Sequence, residues 1–115
     1  MKTFTLLVAE IIAQNGNVTV PATTVPGINL RREADDGIFS IYLVSTGTGV
    51  IKVEYLLSHD GSTFLEPASA DDIVTGFTAT SGIYTFQPEL APYMRLKVTE
   101  NNTGEAVVTL ILTVQ

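Results

Sequence analysis

The sequence contains no cysteine and no tryptophan, one histidine and two methionines. Without cysteine there can be no disulfide scaffold, cysteine-zinc site, iron–sulfur centre or thiol nucleophile. A single histidine excludes a multi-histidine metal centre. Charge is sparse and one-sided: 16% of residues are charged, six Lys and Arg against twelve Asp and Glu, for a net charge of −6. An acidic chain repels phosphate backbones and anionic lipid, so neither nucleic acid nor membrane is an expected partner. No apolar run approaches the ~18 residues of a membrane span. The stretch Phe4–Ala9 is short, Glu10 interrupts it, and Ala13 leads into Gln14-Asn15-Gly16-Asn17, so a cleaved signal peptide is not expected. The glycosylation-like triplets Asn17-Val18-Thr19 and Asn101-Asn102-Thr103 then read as turn chemistry.

What is present is a β pattern. Apolar residues make up 45% of 115 residues, enough for one core, so 1–115 reads as a single domain. In Ala106–Gln115 the even positions are Ala106, Val108, Leu110, Leu112 and Val114, while Thr109, Thr113 and Gln115 take odd positions. Period-two alternation is the mark of a strand with one face in a core. Such a strand belongs in the middle of a sheet, because at an edge it would expose unpaired amides. Met94, Leu96 and Val98 repeat the pattern, with Tyr93, Arg95, Lys97 and Thr99 on the outer, solvent side. The link Glu100–Glu105 has tight-turn composition, so 93–115 is expected to be an antiparallel hairpin. A second hairpin is expected from Phe39, Ile41 and Leu43, a turn at Ser45–Gly49, and Ile51, Val53, Tyr55 and Leu57, with Lys52 and Glu54 facing outward. Asp60-Gly61 signals a further turn. Shorter strands are expected near Val18–Val20, Thr63–Glu66 and Ile83–Gln87, with Asp71–Thr75 a strand or one helical turn. Asn15–Gly37 carries Pro21 and Pro26 and reads as a long connection at about 15–37 after its first strand. No helix longer than two turns is expected. The fold class is all-β, an antiparallel β-sandwich or jelly roll of about 7–8 strands.

Candidate chemistry is thin. His59 sits in a turn where polar residues collect in any case, and a histidine base needs an orienting partner and a nucleophile. Asp35-Asp36 and Asp71-Asp72 are paired loop acids that could serve a glycosidase or calcium. They lack the regular spacing of a calcium loop, and turn or cap duty is their ordinary role. Asp60 has the same two readings. Arg31-Arg32 is offset at once by Glu33, Asp35 and Asp36. Gly47-Thr48-Gly49 lacks the lysine and helix of a phosphate loop. Tyr42, Tyr84 and Tyr93 could stack a sugar if exposed, though half-burial at a sheet edge is commoner. The contact candidates are therefore Arg31, Arg32, Tyr42, His59, Asp60, Asp71, Asp72, Tyr84, Tyr93 and Arg95. No enzymatic activity and no cofactor is expected.

Val53–Phe64 carries a strand followed by Ser58-His59-Asp60-Gly61-Ser62-Thr63-Phe64, the pattern Ser-x-Asp-Gly-x-x-aromatic. About thirty residues on comes Ala91-Pro92-Tyr93-Met94-Arg95-Leu96-Lys97-Val98, then a long closing strand. This pair resembles the small β-sandwich proteins encoded among the structural genes of tailed phages and prophages. It also resembles the discoidin-like jelly roll. The match covers residues 50–115. Phe64 stands where tryptophan is commoner, and His59 is not a motif position. The short chain and the lack of cysteine fit the first family better. That resemblance implies a virion structural or accessory protein, in capsid decoration or a head or tail accessory role. It would reside in the virion, or in the bacterial cytoplasm before assembly. It implies a homo-oligomer, with a trimer preferred, and other virion proteins as partners, with Asn15–Gly37 as a docking arm. The second resemblance implies a carbohydrate-binding module with its site in the end loops Thr46–Gly49, Ser58–Ser62 or Pro67–Thr75. Neither motif carries a catalytic residue.

Overall fold

A computed structural model describes residues 1–21, 27–34, 36–68, 70–78 and 80–115. Its elements run β1 (Lys2–Ile12), β2 (Asn17–Val20), β3 (Ile28–Asn29), α1 (Leu30–Glu33), β4 (Phe39–Gly47), β5 (Ile51–Ser58), β6 (Val74–Phe77), β7 (Ser81–Phe86), β8 (Tyr93–Glu100) and β9 (Ala106–Val114). One sheet has the order β1-β9-β4-β7. The other has the order β2-β8-β5-β6, with the two-residue β3 also on β8. The expected sandwich is thus present, with nine strands among the described residues. Eight of them follow jelly-roll order, in which the chain passes repeatedly from one layer to the other.

The core lies between the layers. All five even positions of β9 are buried, as are Met94, Leu96 and Val98 of β8, Phe39, Ile41 and Leu43 of β4, and Ile51, Val53, Tyr55 and Leu57 of β5. Each large apolar side chain so placed contributes roughly 1.5–3 kcal/mol. Aromatic contacts close the β7 side: Phe86 lies 5.5 Å from Phe39 and 5.7 Å from Tyr55, and Tyr84 meets Phe77 edge-on at 6.1 Å. β9 is central, flanked by β1 and β4.

Both expected hairpins are wrong. β8 pairs with β2, β3 and β5, and β9 pairs with β1 and β4, so 93–115 is an arch between layers. β4 and β5 likewise lie in different sheets. Among the described residues, the only consecutive strands that pair are β5 and β6. A hairpin and an arch place the same alternate residues in the core, so alternation cannot separate them.

One buried acid makes these arches compatible. Glu100 is 0% exposed. Its carboxylate accepts the backbone N–H of Asn15 (2.8 Å), Val50 (3.0 Å) and Thr103 (3.0 Å). Those residues lie in the β1–β2, β4–β5 and β8–β9 crossovers, which meet at this end. Glu105 adds a second tie, its carbonyl accepting Thr48 and Gly49 N–H. Within 15–37, β2 and β3 are strands on β8, and Ile28 is buried, so these parts of the expected docking arm lie on the protein's own sheet. Residues 22–26 of that arm and Asp35 of the first acidic pair lie outside the described residues.

Candidate functional site

The outer face of the β1-β9-β4-β7 sheet follows directly from register. Its cross-strand rows are Thr3–Thr113–Ser40–Thr85, Thr5–Ile111–Tyr42–Ile83, Thr109–Val44–Ser81 and Ile11–Val107–Thr46. None of these residues is charged. Ile83 is 71% exposed, Ile11 63% and Tyr42 42%. Tyr42 is thus one contact candidate that lies in the open, in the most apolar row. At the β1 side, a bulge between Leu7 and Glu10 puts Ala9 at φ 47, and its N–H donates to Thr109 Oγ1 at 3.1 Å.

The opposite sheet carries the charge. Lys52 faces Thr99, Glu54 faces Lys97, and Leu56 faces Arg95. Arg95 is not on a solvent face as expected: it is only 7% exposed. After β5 the chain folds back, with Leu57 and Leu65 exchanging both backbone hydrogen bonds (2.9 and 3.0 Å). That return lays Phe64 over Arg95, guanidinium carbon 4.2 Å from the ring centroid, a cation–π contact. Tyr93 is half-buried between Asn29 and Ser58.

The turn under Phe64 accounts for the Ser-x-Asp-Gly pattern. Asp60 Oδ1 accepts Ser58 Oγ–H (2.9 Å) and the N–H groups of Ser62 and Thr63 (2.8 Å each), while Gly61 N–H donates to Ser58 Oγ. The Thr63 and Ser62 amides, then the Ser58 hydroxyl, hold the Asp60 carboxyl at about 2. Gly61 takes φ 79, which suits glycine. The two halves of the motif therefore meet in space, Phe64 on Arg95, and both have packing roles.

Asp71 and Asp72 border the same polar depression but have different neighbours. Asp72 joins Glu54 and Glu66, three carboxylates with oxygens within 4.8 Å of one another. Lys52 Nζ already sits among them, 3.5 Å from Glu54 and 4.0 Å from Asp72. The Glu66 carboxyl is pushed up, chiefly by a hydrogen bond with Glu54 and by that group's charge. Lys52 thus offsets part of the acids' mutual repulsion. Glu54 and Glu66 escaped sequence reasoning because they lie twelve residues apart on different segments. Asp71 is exposed and lines a polar depression with Thr85 and Glu89.

At the sandwich end away from Glu100, Arg31 and His59 come together on a groove of about 550 Å³ with Leu30, Phe39, Pro88 and Leu90. Beside it, Tyr55 donates to Glu89 Oε2 at 2.6 Å. Burial, then Glu89, pushes the Tyr55 hydroxyl up. Arg32 points elsewhere and pairs with Glu33 at 2.7 Å. Tyr84 is half-buried against Phe77, so it offers no open stacking surface.

No protein-family model matches the chain, and no curated protein is significantly similar to it. Among the described residues, no helix is long and apolar enough to cross a membrane.

Proposed function

We propose that this is a non-enzymatic structural or accessory protein of a tailed-phage or prophage particle, acting in capsid decoration or as a head or tail accessory. Its work is contact with copies of itself and with other particle proteins. The observation that carries this reading is the outer face of the β1-β9-β4-β7 sheet, uncharged on a molecule of net charge −6 and bearing open Ile11, Tyr42 and Ile83. Apolar and hydroxyl side chains in this density suit a protein partner, since large exposed apolar patches mark interaction surfaces. Jelly rolls build both capsids and lectins, so the fold chooses neither. Two of the residues the carbohydrate alternative would use are already engaged, and the open Tyr42 lies on the sheet face, away from the end loops. Asp60 spends its inner oxygen on its own turn and Tyr84 packs on Phe77.

The test is to induce the strain that encodes the chain and purify the released particles. Mass spectrometry should find the chain in them at a fixed ratio to the major capsid or tail protein. Particles without it would overturn the reading.

A further inference from the structure

The two sheets have unequal edges. β1 is interrupted by its bulge at Leu7–Glu10. β2 and β6 have four residues each, β3 has two, and Pro21 follows β2. Bulges, brevity and proline are the usual devices that keep an edge from pairing with another chain. β7 has none of them. Ser81-Gly82-Ile83-Tyr84-Thr85-Phe86 pairs with β4 at six successive positions without a register break, and it contains no proline and no charge.

Alternation in an antiparallel ladder decides which backbone groups of β7 are free. Ser45 N–H donates to Thr80 O at 3.0 Å. The register then makes Leu43–Gly82, Ile41–Tyr84 and Phe39–Phe86 the hydrogen-bonded pairs. At the far side of β4, Ile38 and Gln115 exchange both bonds, which turns Ser40, Tyr42 and Val44 toward β9 and agrees with this phase. The N–H and C=O groups of Ser81, Ile83 and Thr85 consequently point away from β4, along an edge that no strand among the described residues covers. The side chains of these three residues are exposed on the uncharged face.

We propose that β7 pairs antiparallel with β7 of a second copy of this chain, about a two-fold axis at Ile83. The strand is its own complement in that arrangement. Ile83 meets Ile83, Ser81 meets Thr85, and the free groups form about six reciprocal main-chain hydrogen bonds. The interface is isologous and closes as a dimer. It joins two four-stranded sheets into one of eight, and the row Ile111–Tyr42–Ile83 continues across the axis into its copy. Charge favours this edge for two chains of net charge −6, because Thr78–Phe86 carries none. Asp71 and Asp72 line a depression together with Thr85, and the pairing sets that end opposite the uncharged Thr80–Ser81 end of the second copy. The inference rests on the assembly reading above, names its partner, and puts a dimer in place of the expected trimer.

The experiment is sedimentation velocity on the full chain across micromolar concentrations, with circular dichroism to confirm folding. The wild type is expected to show a concentration-dependent dimer. Ile83→Lys sets two like charges face to face and should weaken it at least ~10-fold. Thr85→Pro removes an N–H that β4 does not use and should do the same. Ile11→Lys, on the same face at the opposite edge, should leave the dimer unchanged. A wild type that stays monomeric overturns the inference, as does a dimer that survives both β7 variants. An oligomer lost in Ile11→Lys but kept in Ile83→Lys overturns the β7 edge while the assembly reading stands. A monomer that is nevertheless found in particles does the same.

Discussion

Glu100 reaches three crossovers with one side chain, so its charge governs one whole end of the sandwich. Burial alone would push its carboxyl up, but the N–H groups of Asn15, Val50, Thr103 and Gly104 together outweigh this and hold it at about 2, below the usual 4.5. A carboxyl lowered by folding stabilises the native state above its unfolded value and loses that effect as pH falls through its folded value. Glu100→Gln should therefore lower Tm on the order of 10 °C at pH 7. The gap to wild type should narrow between pH 4.5 and about 2, measured by thermal melts over a pH series. Glu66 has the opposite sign. Its carboxyl is raised by Glu54, so the native state prefers the proton, and stability falls as pH climbs from the ordinary glutamate range through the raised value. Glu66→Gln should melt a few degrees above wild type at pH 7 and level with it at pH 3. A variant less stable at pH 7 would show that the carboxylate is needed where it sits. Neither role was legible from sequence. Glu100 looked like a turn residue and Glu54 an outward strand residue, because their partners are backbone amides and acids from distant segments.

The crossovers are decided at the scale of elements. Gly47 ends β4 at φ 97, and a Cβ there would lie 2.5 Å from the Glu105 carbonyl oxygen. That carbonyl is the one that accepts Thr48 and Gly49 N–H, so the residue has no room to shift without undoing the second arch. Gly47→Ala should cost roughly 1–3 kcal/mol of unfolding free energy, read from urea denaturation. Unchanged stability would mean that the two arches are not locked together. The strands themselves were readable. Leu110 and Leu112 announce the inward side of β9, and Ile41 and Leu43 that of β4, since period two places alternate residues on one face. The Ser-x-Asp-Gly-x-x-aromatic motif was readable too, but its meaning was not. Ser58, Asp60 and Gly61 build a turn whose purpose is to return Phe64 onto Arg95, and spacing alone does not show that two segments thirty residues apart will touch.

For the whole molecule, the net charge of −6 opposes association while the uncharged face and the open β7 edge favour it. Raising ionic strength screens the first and leaves the second. Dimer formation should therefore strengthen about several-fold between 10 and 150 mM salt, as measured by sedimentation. Weakening with salt would point instead to ion pairs across the interface. Composition and alternation were enough to establish an all-β chain, the inward residues of the long strands and a central β9, because those are properties of one strand at a time. Pairing partners are a different matter. Ala106 and Glu100 sit on either side of a short turn, yet their strands enter separate layers, and the same inward-facing residues would have served a hairpin equally well. The chain's choice between them depends on Glu100 satisfying amides from three corners at once, and on the close approach of Gly47 to Glu105. Those contacts exist only when the two layers are already face to face, so it is the packed molecule that settles them.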